Sequence, residues 1–428
     1  MFSPAEAAPD KREVIMPTEW LSAAEAARRL GVKQASLYSY VSRGVLARRK
    51  AEGSRASLFS ASEVEGLARR GRPRRAPGAA ELVIETELTE IAGDHLYYRG
   101  MDAISLARTC SFEQVAWLLW TGSLDGTGRP DEHALPSGHW RAGDGAVAAG
   151  RAAQAALPAG TLPLERLQVI VPALAAADPL RLHLDAPAVI AAGRCLIAGM
   201  VDCLPVAGDG AGQELSGIAE RLVLKLCPAD PGRGLVDAIG AALALLADHE
   251  LAASTLAARV AASVRADPYA VVATGLGAVG GSLHGGASFG AEVMLGSAAG
   301  PADAARVVGD LLRRGERIPG FGHFVYRERD PRAVLLLDLV RAAAPGSQRL
   351  AVAEAVIAET RGRSLPEPNI DFALATLAVV AGMIPGAGQA IFAVARAAGW
   401  VAHALEEYAR RTPIRPRGIY TGPVATPR

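Results

Sequence analysis

The sequence predicts an essentially all-α body preceded by a small basic head, and three observations carry that expectation. Half of the 428 residues are hydrophobic but only 5% are aromatic, so alanine and leucine fill the apolar positions and favour close-packed helices over sheets of valine, isoleucine and tyrosine. From Ser111 almost to residue 411 one apolar helical pattern follows another, interrupted at breakers such as "CPADPGRG" and "RIPGFGH". Charge is segregated: residues 1–76 hold 15 Lys and Arg against 8 Asp and Glu, although the whole chain is only +1. A basic head on a mildly acidic body points to a nucleic-acid partner for the head alone.

Residues 1–18 lack any pattern and are expected to be disordered; the head spans 19–70. Ser22 and Glu25 stand at capping-box spacing and open a short helix that ends at Gly31. A second helical pattern follows, with Leu37, Tyr38 and Val41 as its apolar face, and two helices joined at a glycine make a helix-turn-helix signature. After Gly44, "VLARRKAEGSRASLF" reads as a small β wing, and Ser60 with Glu63 starts a further helix. The segment resembles the winged DNA-binding heads of the MerR and excisionase type. That resemblance nominates Lys33, Gln34, Ser36, Tyr38, Arg43 and Arg55 as DNA contacts. The competing reading is a solvated basic domain used for protein contacts.

"RRGRPRRAPGAA" has the composition of an exposed linker, placed at 71–81, and the body runs from 82 to 428. "ELVIETELTEIAGDHLYYRG" alternates apolar and polar residues and predicts a β ribbon turning near Gly93. Ser111 and Gln114 repeat the capping-box spacing, and a loop rich in Gly, Pro and Asp covers roughly 122–145 before the run of helices. Cys110, Cys195, Cys203 and Cys227 form no CxxC pair, so neither a disulfide framework nor a zinc site is indicated. No signal peptide and no uncharged apolar run of about 18 residues occurs, and a cytoplasmic protein is expected. "GLGAVG" (275–280) matches GxGxxG but lies in a helical region without alternating strands, so it reads as helix packing rather than a dinucleotide site.

Four separated segments carry the chemistry: "LLADHELAAS" (245–254), "GGSLHGGASFG" (280–290), "IPGFGHFVYRERDPRA" (318–333) and "PEPNIDFALATL" (366–377). With "FAVARAAGWVAHALEE" and "RPRGIYTG" at the C-terminus, and "DHLYYRGMDAISLARTCSFEQVAWLLWTG" upstream, their order and residue types resemble the citrate synthase family over about residues 82–424. The residues suit the chemistry this implies. Asp371, among Ile370, Phe372 and Leu374, is a partly desolvated carboxylate fit to remove a proton from a weakly acidic carbon. His284, flanked by glycines that let substrate approach, suits the donor to the enolate oxygen. His323 is placed to protonate a keto oxygen. Arg332, Arg396 and Arg415 supply planar forks for carboxylates. The resemblance assigns these roles to the same positions, adds His249 to the keto-acid site, and implies that Arg415 reaches across a dimer interface. It further implies large and small helical domains, the small one at about 281–368, a CoA thioester as substrate, and no metal or bound cofactor.

Departures from the family pattern stand at Leu246, Ala252 and Ala253, Phe324 and Ser282, where polar, charged or proline residues are usual. They point to weakened oxaloacetate binding or to a different keto acid. Acetyl-CoA with oxaloacetate is the first choice of substrates. Propionyl-CoA, giving 2-methylcitrate, is the alternative, because one methylene in a pocket is worth only about 1–3 kcal/mol. A second class of function is a metabolite-sensing DNA-binding regulator; retention of His284, His323 and Asp371 favours an enzyme. His403 reads as a packed helix residue, and His95, His133, His139 and His183 suggest no chemistry.

Overall fold

A computed structural model describes residues 20–30, 32, 34–42, 45–51, 57–64, 83–124, 140–208, 217–282 and 284–417. The chain divides after Ile84 into two compact units.

In the first unit, strand β1 (Trp20–Ser22) and strand β2 (Arg48–Lys50) both pair antiparallel with β3 (Ser57–Ser60), giving the order β1-β3-β2. Between the strands lie α1 (Ala23–Leu30) and α2 (Gln34–Ser42). Ser22 accepts the Glu25 amide at 3.2 Å and so starts α1 while also ending a strand. Leu21, Ala26, Leu30, Leu37, Leu46, Phe59 and Val64 form this unit's own core. One expectation changes here. Tyr38 is 43% exposed and lies edge-on to Phe59 with the Arg48 guanidinium over its ring, so it borders the core rather than filling it. Residues 61–64 are helical directly after Ser60, as expected, and the Glu63 carboxylate accepts the Ala47 amide at 2.5 Å, fixing the entry to β2. Lys33, Arg43 and Arg55 lie outside the described residues.

The second unit opens with the ribbon β4 (Thr89–Ala92), β5 (His95–Tyr98) and β6 (Met101–Asp102), which turns at Gly93 in the left-handed region (φ 63°). Fifteen α-helices follow among the described residues. They are α3 (Ala103–Thr109), α4 (Phe112–Thr121), α5 (Asp144–Ala155), α6 (Pro163–Ala177), α7 (Ala186–Asp202), α8 (Ile218–Leu226), α9 (Arg233–Leu246), α10 (Ala253–Ser263), α11 (Pro268–Val279), α12 (Gly286–Gly296), α13 (Ala304–Arg313), α14 (Pro331–Ala343), α15 (Gln348–Gly362), α16 (Ile370–Val380) and α17 (Ala387–Arg410). The capping box of Ser111 and Gln114 forms in both directions at α4. Proline at the first turns of α6, α7, α11 and α14 costs no hydrogen bond, because those amides have no intrahelical partner.

Helix α17 is buried almost all round, and its alanines and glycines let neighbours close on it from every side. A Cβ on Gly275 would come within 2.6 Å of the Trp400 ring, so "GLGAVG" serves the contact between α11 and α17. Trp120 donates its indole N–H to the Ala398 carbonyl at 2.9 Å, anchoring α4 to the same helix. Among the described residues no helix is long and apolar enough to cross a membrane.

Candidate active site

Glycine and asparagine chemistry brings two of the motifs together. In "PGFGH", Gly320 and Gly322 both take φ 79°, and a Cβ on Gly320 would strike Phe372 at 2.7 Å. Only glycine meets both conditions. The turn is then zipped to "PEPNID": the Gly322 amide donates to the Glu367 carbonyl, the Asn369 amide to Gly320, and the Asn369 side-chain N–H to the Gly322 carbonyl at 2.7 Å. Asn369 also N-caps α16 through the amides of Asp371 and Phe372. One side chain thus ties the loop carrying His323 to the first turn carrying Asp371.

His323 is oriented from behind. Its Nδ1 accepts the amides of Val325 and Tyr326 at 3.0 and 3.3 Å, which places the proton of the neutral ring on Nε2. That Nε2 lies 3.3 Å from Nη2 of Arg332, so two donors converge with no acceptor between them. Arg332 is nearly fully buried and held by Asp330, from Nε to Oδ1 at 2.9 Å and from Nη2 to Oδ2 at 2.8 Å. Asp330 also accepts the Ile370 amide at 3.0 Å, coupling α14 to α16. His249 completes this side: its Nε2 meets the Tyr326 hydroxyl at 2.9 Å and its ring lies edge-on to His323, 5.3 Å between centroids. Burial, followed by the Arg332 charge, pushes His323 down to about 4, and burial with Arg332 and Arg396 holds His249 well below the ordinary histidine range. Both rings are neutral at pH 7.

On the other side, His284 Nε2 pairs with the Ser254 hydroxyl at 2.8 Å, and its ring stands edge-on to Phe392. Gly285 behind it is obligatory, since a Cβ would sit 2.4 Å from the Val279 carbonyl; that glycine's own carbonyl takes the Gln389 side-chain amide at 2.9 Å. Burial, then the Arg396 charge, pushes His284 down to about 4. Arg396 lies over the Phe392 ring, and among the described residues its hydrogen bond runs from Nε to the Leu246 carbonyl at 2.8 Å. Its Nη groups carry no hydrogen bond or ion pair there. A guanidinium buried to 1% without a carboxylate partner is costly unless an anion is meant to fill the gap. Asp371 keeps part of its surface open, yet burial pushes its carboxyl up to about 7, Asp330 adding to the rise while Arg332 and Arg396 oppose it.

Six of the seven motif residues therefore share one electrostatic neighbourhood. Arg415 does not: it is exposed in the segment after α17, and no hydrogen bond or ion pair among the described residues joins it to the others. Sequence reasoning missed Ser254, Tyr326, Asp330 and Asn369. Two of them carry a local signal: Asn369 as a cap residue before an apolar run, and Asp330 as a cap residue before a proline at the first helical position. The departures read differently in place. Leu246 is fully buried in the hydrophobic core, and its carbonyl rather than its side chain meets Arg396. Ala252 N-caps α10 without a side-chain bond, Ser282 is exposed, and Phe324 is fully exposed. Beside Phe324 and His323 a cleft of 570 Å³ runs toward Leu312, Arg317 and Leu365. Among the described residues no group of three or more His, Cys, Asp or Glu is placed to hold a metal ion.

The citrate synthase C-terminal domain family matches residues 79–417. The chain belongs to the citrate synthase family, and as such is an acyltransferase. It is 35% identical to the citrate synthase of Haloferax volcanii over 372 residues, covering 80% of this chain and 94% of that one. It is 30% identical to the 2-methylcitrate synthase of Mycobacterium tuberculosis over 370 residues, covering 82% and 91%. The citrate synthase of Thermoplasma acidophilum, solved as a ternary complex with carboxymethyl coenzyme A and oxaloacetate, superposes with a TM-score of 0.67 at 25% identity, covering 82% of this chain and 96% of that one. The helical body thus has the citrate synthase fold.

Proposed function

We propose that this protein condenses an acyl-CoA, acetyl-CoA first, with oxaloacetate or a related α-keto acid and then hydrolyses the thioester to release CoA. The observation that carries the reading is the split in proton affinity: a carboxyl raised to about 7 at Asp371 against imidazoles lowered to about 4 at His284 and His323. Asp371 takes the proton from the carbon next to the thioester. His284, with Nε2 committed to the Ser254 hydroxyl, presents Nδ1 to the enolate oxygen. The enolate carbon attacks the keto carbon while His323 donates from Nε2 to the keto oxygen, and Arg332, Arg396 and His249 hold the acid. Water attack then breaks the carbon–sulfur bond. The thioester enters as substrate, no bound cofactor is invoked, and the cytoplasm is the proposed setting. The small domain, at about 281–368, closes over the acid and excludes water until the carbon bond is made.

The decisive assay is CoA release from acetyl-CoA and propionyl-CoA against a panel of α-keto acids. Turnover of acetyl-CoA with oxaloacetate at the highest kcat/KM is the expected result. A preference for propionyl-CoA establishes the 2-methylcitrate alternative, and no CoA release with any pair overturns the enzyme reading in favour of a metabolite-sensing regulator. Arg415, exposed in a single chain, is assigned to the partner's site of a homodimer. Mixing inactive Arg415→Ala and Asp371→Ala subunits should then restore part of the activity, because each heterodimer holds one complete site. No recovery after verified subunit exchange counts against a shared site.

A second reading concerns the head. Strand β2 presents Arg48, Arg49 and Lys50 all exposed at a sheet edge, with Arg48 over the Tyr38 ring and Arg49 over Trp20. This supports a winged helix-turn-helix head that meets DNA phosphates, with Tyr38 of α2 under Arg48 and with Gln34 and Ser36 as further candidates on the same helix. The full chain should bind duplex DNA at low salt and lose affinity roughly 10²-fold or more on raising salt from about 50 to 200 mM. Binding that is absent at low salt, or unchanged by Arg48→Glu with Arg49→Glu, leaves the protein-contact reading.

A further inference from the structure

The geometry points to Asp248 as a positioning residue: a buried counter-charge held off Arg396, which offsets the cost of burying the guanidinium while leaving its Nη groups free for a substrate carboxylate. The inference rests on the reading of Arg396 as a carboxylate clamp and explains how that clamp is kept open.

A buried arginine is most simply stabilised by a direct carboxylate partner, as Arg332 is by Asp330. Such a partner also competes with the substrate for the fork. Arg396 is arranged differently. Its Nε is fixed by the Leu246 carbonyl at 2.8 Å, two residues before Asp248, and no ion pair between Arg396 and Asp248 is formed. Asp248 is fully buried. Its Oδ2 accepts the Thr89 hydroxyl at 2.6 Å and His403 Nε2 at 3.2 Å, while its Oδ1 is buried without a hydrogen-bond partner. That bare oxygen lies against α17: a Cβ built on Gly399 would be 2.4 Å from it and 2.4 Å from the Ala247 carbonyl. Gly399 is three residues beyond Arg396, so "ARAAG" sets the cation and the gap for its counter-charge on adjacent turns of one helix.

The rest of the network keeps Asp248 ionised without neutralising it. Arg259 donates from Nη1 to His403 Nδ1 at 2.6 Å, and because a guanidinium only donates, His403 must carry its proton on Nε2, facing Asp248. The Arg259 charge is itself met by Glu406 at 2.7 Å and by Glu407. His403 is therefore a neutral donor, and the Asp248 charge is left to act through space. Burial lowers Arg396, and Asp248 is the largest influence opposing that fall. An unpartnered buried carboxylate oxygen is destabilising in itself. A residue serving packing alone would be better made apolar or fully bonded.

The test uses the full chain, with calorimetric titration of oxaloacetate into wild type, Asp248→Asn, Thr89→Val and Arg396→Leu, alongside kcat and both KM values. Asp248→Asn keeps shape and removes charge, and should weaken oxaloacetate by at least roughly tenfold, with the acetyl-CoA KM within about twofold of wild type. Thr89→Val should shift oxaloacetate in the same direction by about threefold, and it decides the matter if Asp248→Asn does not fold. Loss of oxaloacetate binding in Arg396→Leu with wild-type affinity in both other variants overturns this inference alone. An equal rise in both KM values with a lowered Tm overturns it too, since that marks a merely structural role. If wild type and Arg396→Leu bind oxaloacetate alike, the clamp reading falls and this inference with it.

Discussion

Asp371→Asn is expected to lower kcat by at least roughly 10²–10⁴, the usual share of a general base, while oxaloacetate still binds within a few-fold of wild type. The reasoning starts from the environment. The ordinary aspartate value of 3.8 is raised to about 7 chiefly by burial, so the fold holds this group's proton more tightly than the unfolded chain does. Two consequences follow with definite signs. In the wild type, kcat/KM falls as pH drops through about 7, because the base becomes protonated; the residual activity of Asp371→Asn should lack that limb. Stability moves the other way. Below 3.8 the group is protonated in both states and adds nothing; between 3.8 and about 7 rising pH weakens the fold, and above about 7 the cost of the buried charge is fully present. Asp371→Asn should therefore raise Tm above pH 7, with the gain shrinking as pH falls toward 4. A variant that loses stability at every pH and keeps its specific activity would make Asp371 a structural acid.

What the sequence made readable is what local chemistry fixes. Gly320 and Gly322 announce tight turns around His323; Asn369 is a cap residue by type, but the bond from its side chain to the Gly322 carbonyl, which ties that turn to the helix of Asp371, has no local mark. The capping box at Ser111 and Gln114, by contrast, is local and forms in both directions. The partners lie far apart along the chain: Ser254 is 30 residues from His284 and Tyr326 is 77 from His249, and neither has a pattern that marks it before the chain is folded. Strand β1 lacks a local signature for the same reason: it is three residues that pair, among the described residues, with β3, Trp20 across from Ser60. Helical spacing gives the angle of Tyr38 on α2 but not the width of the core beneath it, which is why its ring ends at the border. Leu246 shows a third kind of loss. Its side chain is core, and its contribution to the site is a carbonyl, which every residue type possesses.

His284→Ala is expected to lower kcat on the order of 10²–10³, the effect of removing one donor to a developing oxyanion, with the oxaloacetate Kd unchanged within a few-fold. The ring is pushed down to about 4, so at pH 7 it donates as neutral imidazole and no activity limb between pH 5 and 7 belongs to it. A neutral donor suits an enolate better than a cation would in the resting enzyme, because an imidazolium beside Arg396 would add a second buried positive charge before substrate arrives. A serine hydroxyl can donate or accept, and the enolate role of His284 calls for Ser254 to donate. When its hydroxyl donates to Nε2 across 2.8 Å, the ring's single proton stands on Nδ1, toward the substrate. Ser254→Ala removes that instruction without removing the donor, and should lower kcat by roughly tenfold while leaving both KM values near wild type, as expected when only the transition state loses support. His284→Ala and Ser254→Ala combined should cost little more than His284→Ala alone, since the serine acts through the histidine. Additive losses in the double variant would show that Ser254 works on the substrate directly, and a His284→Ala enzyme with wild-type kcat would remove the enolate donor from His284 altogether.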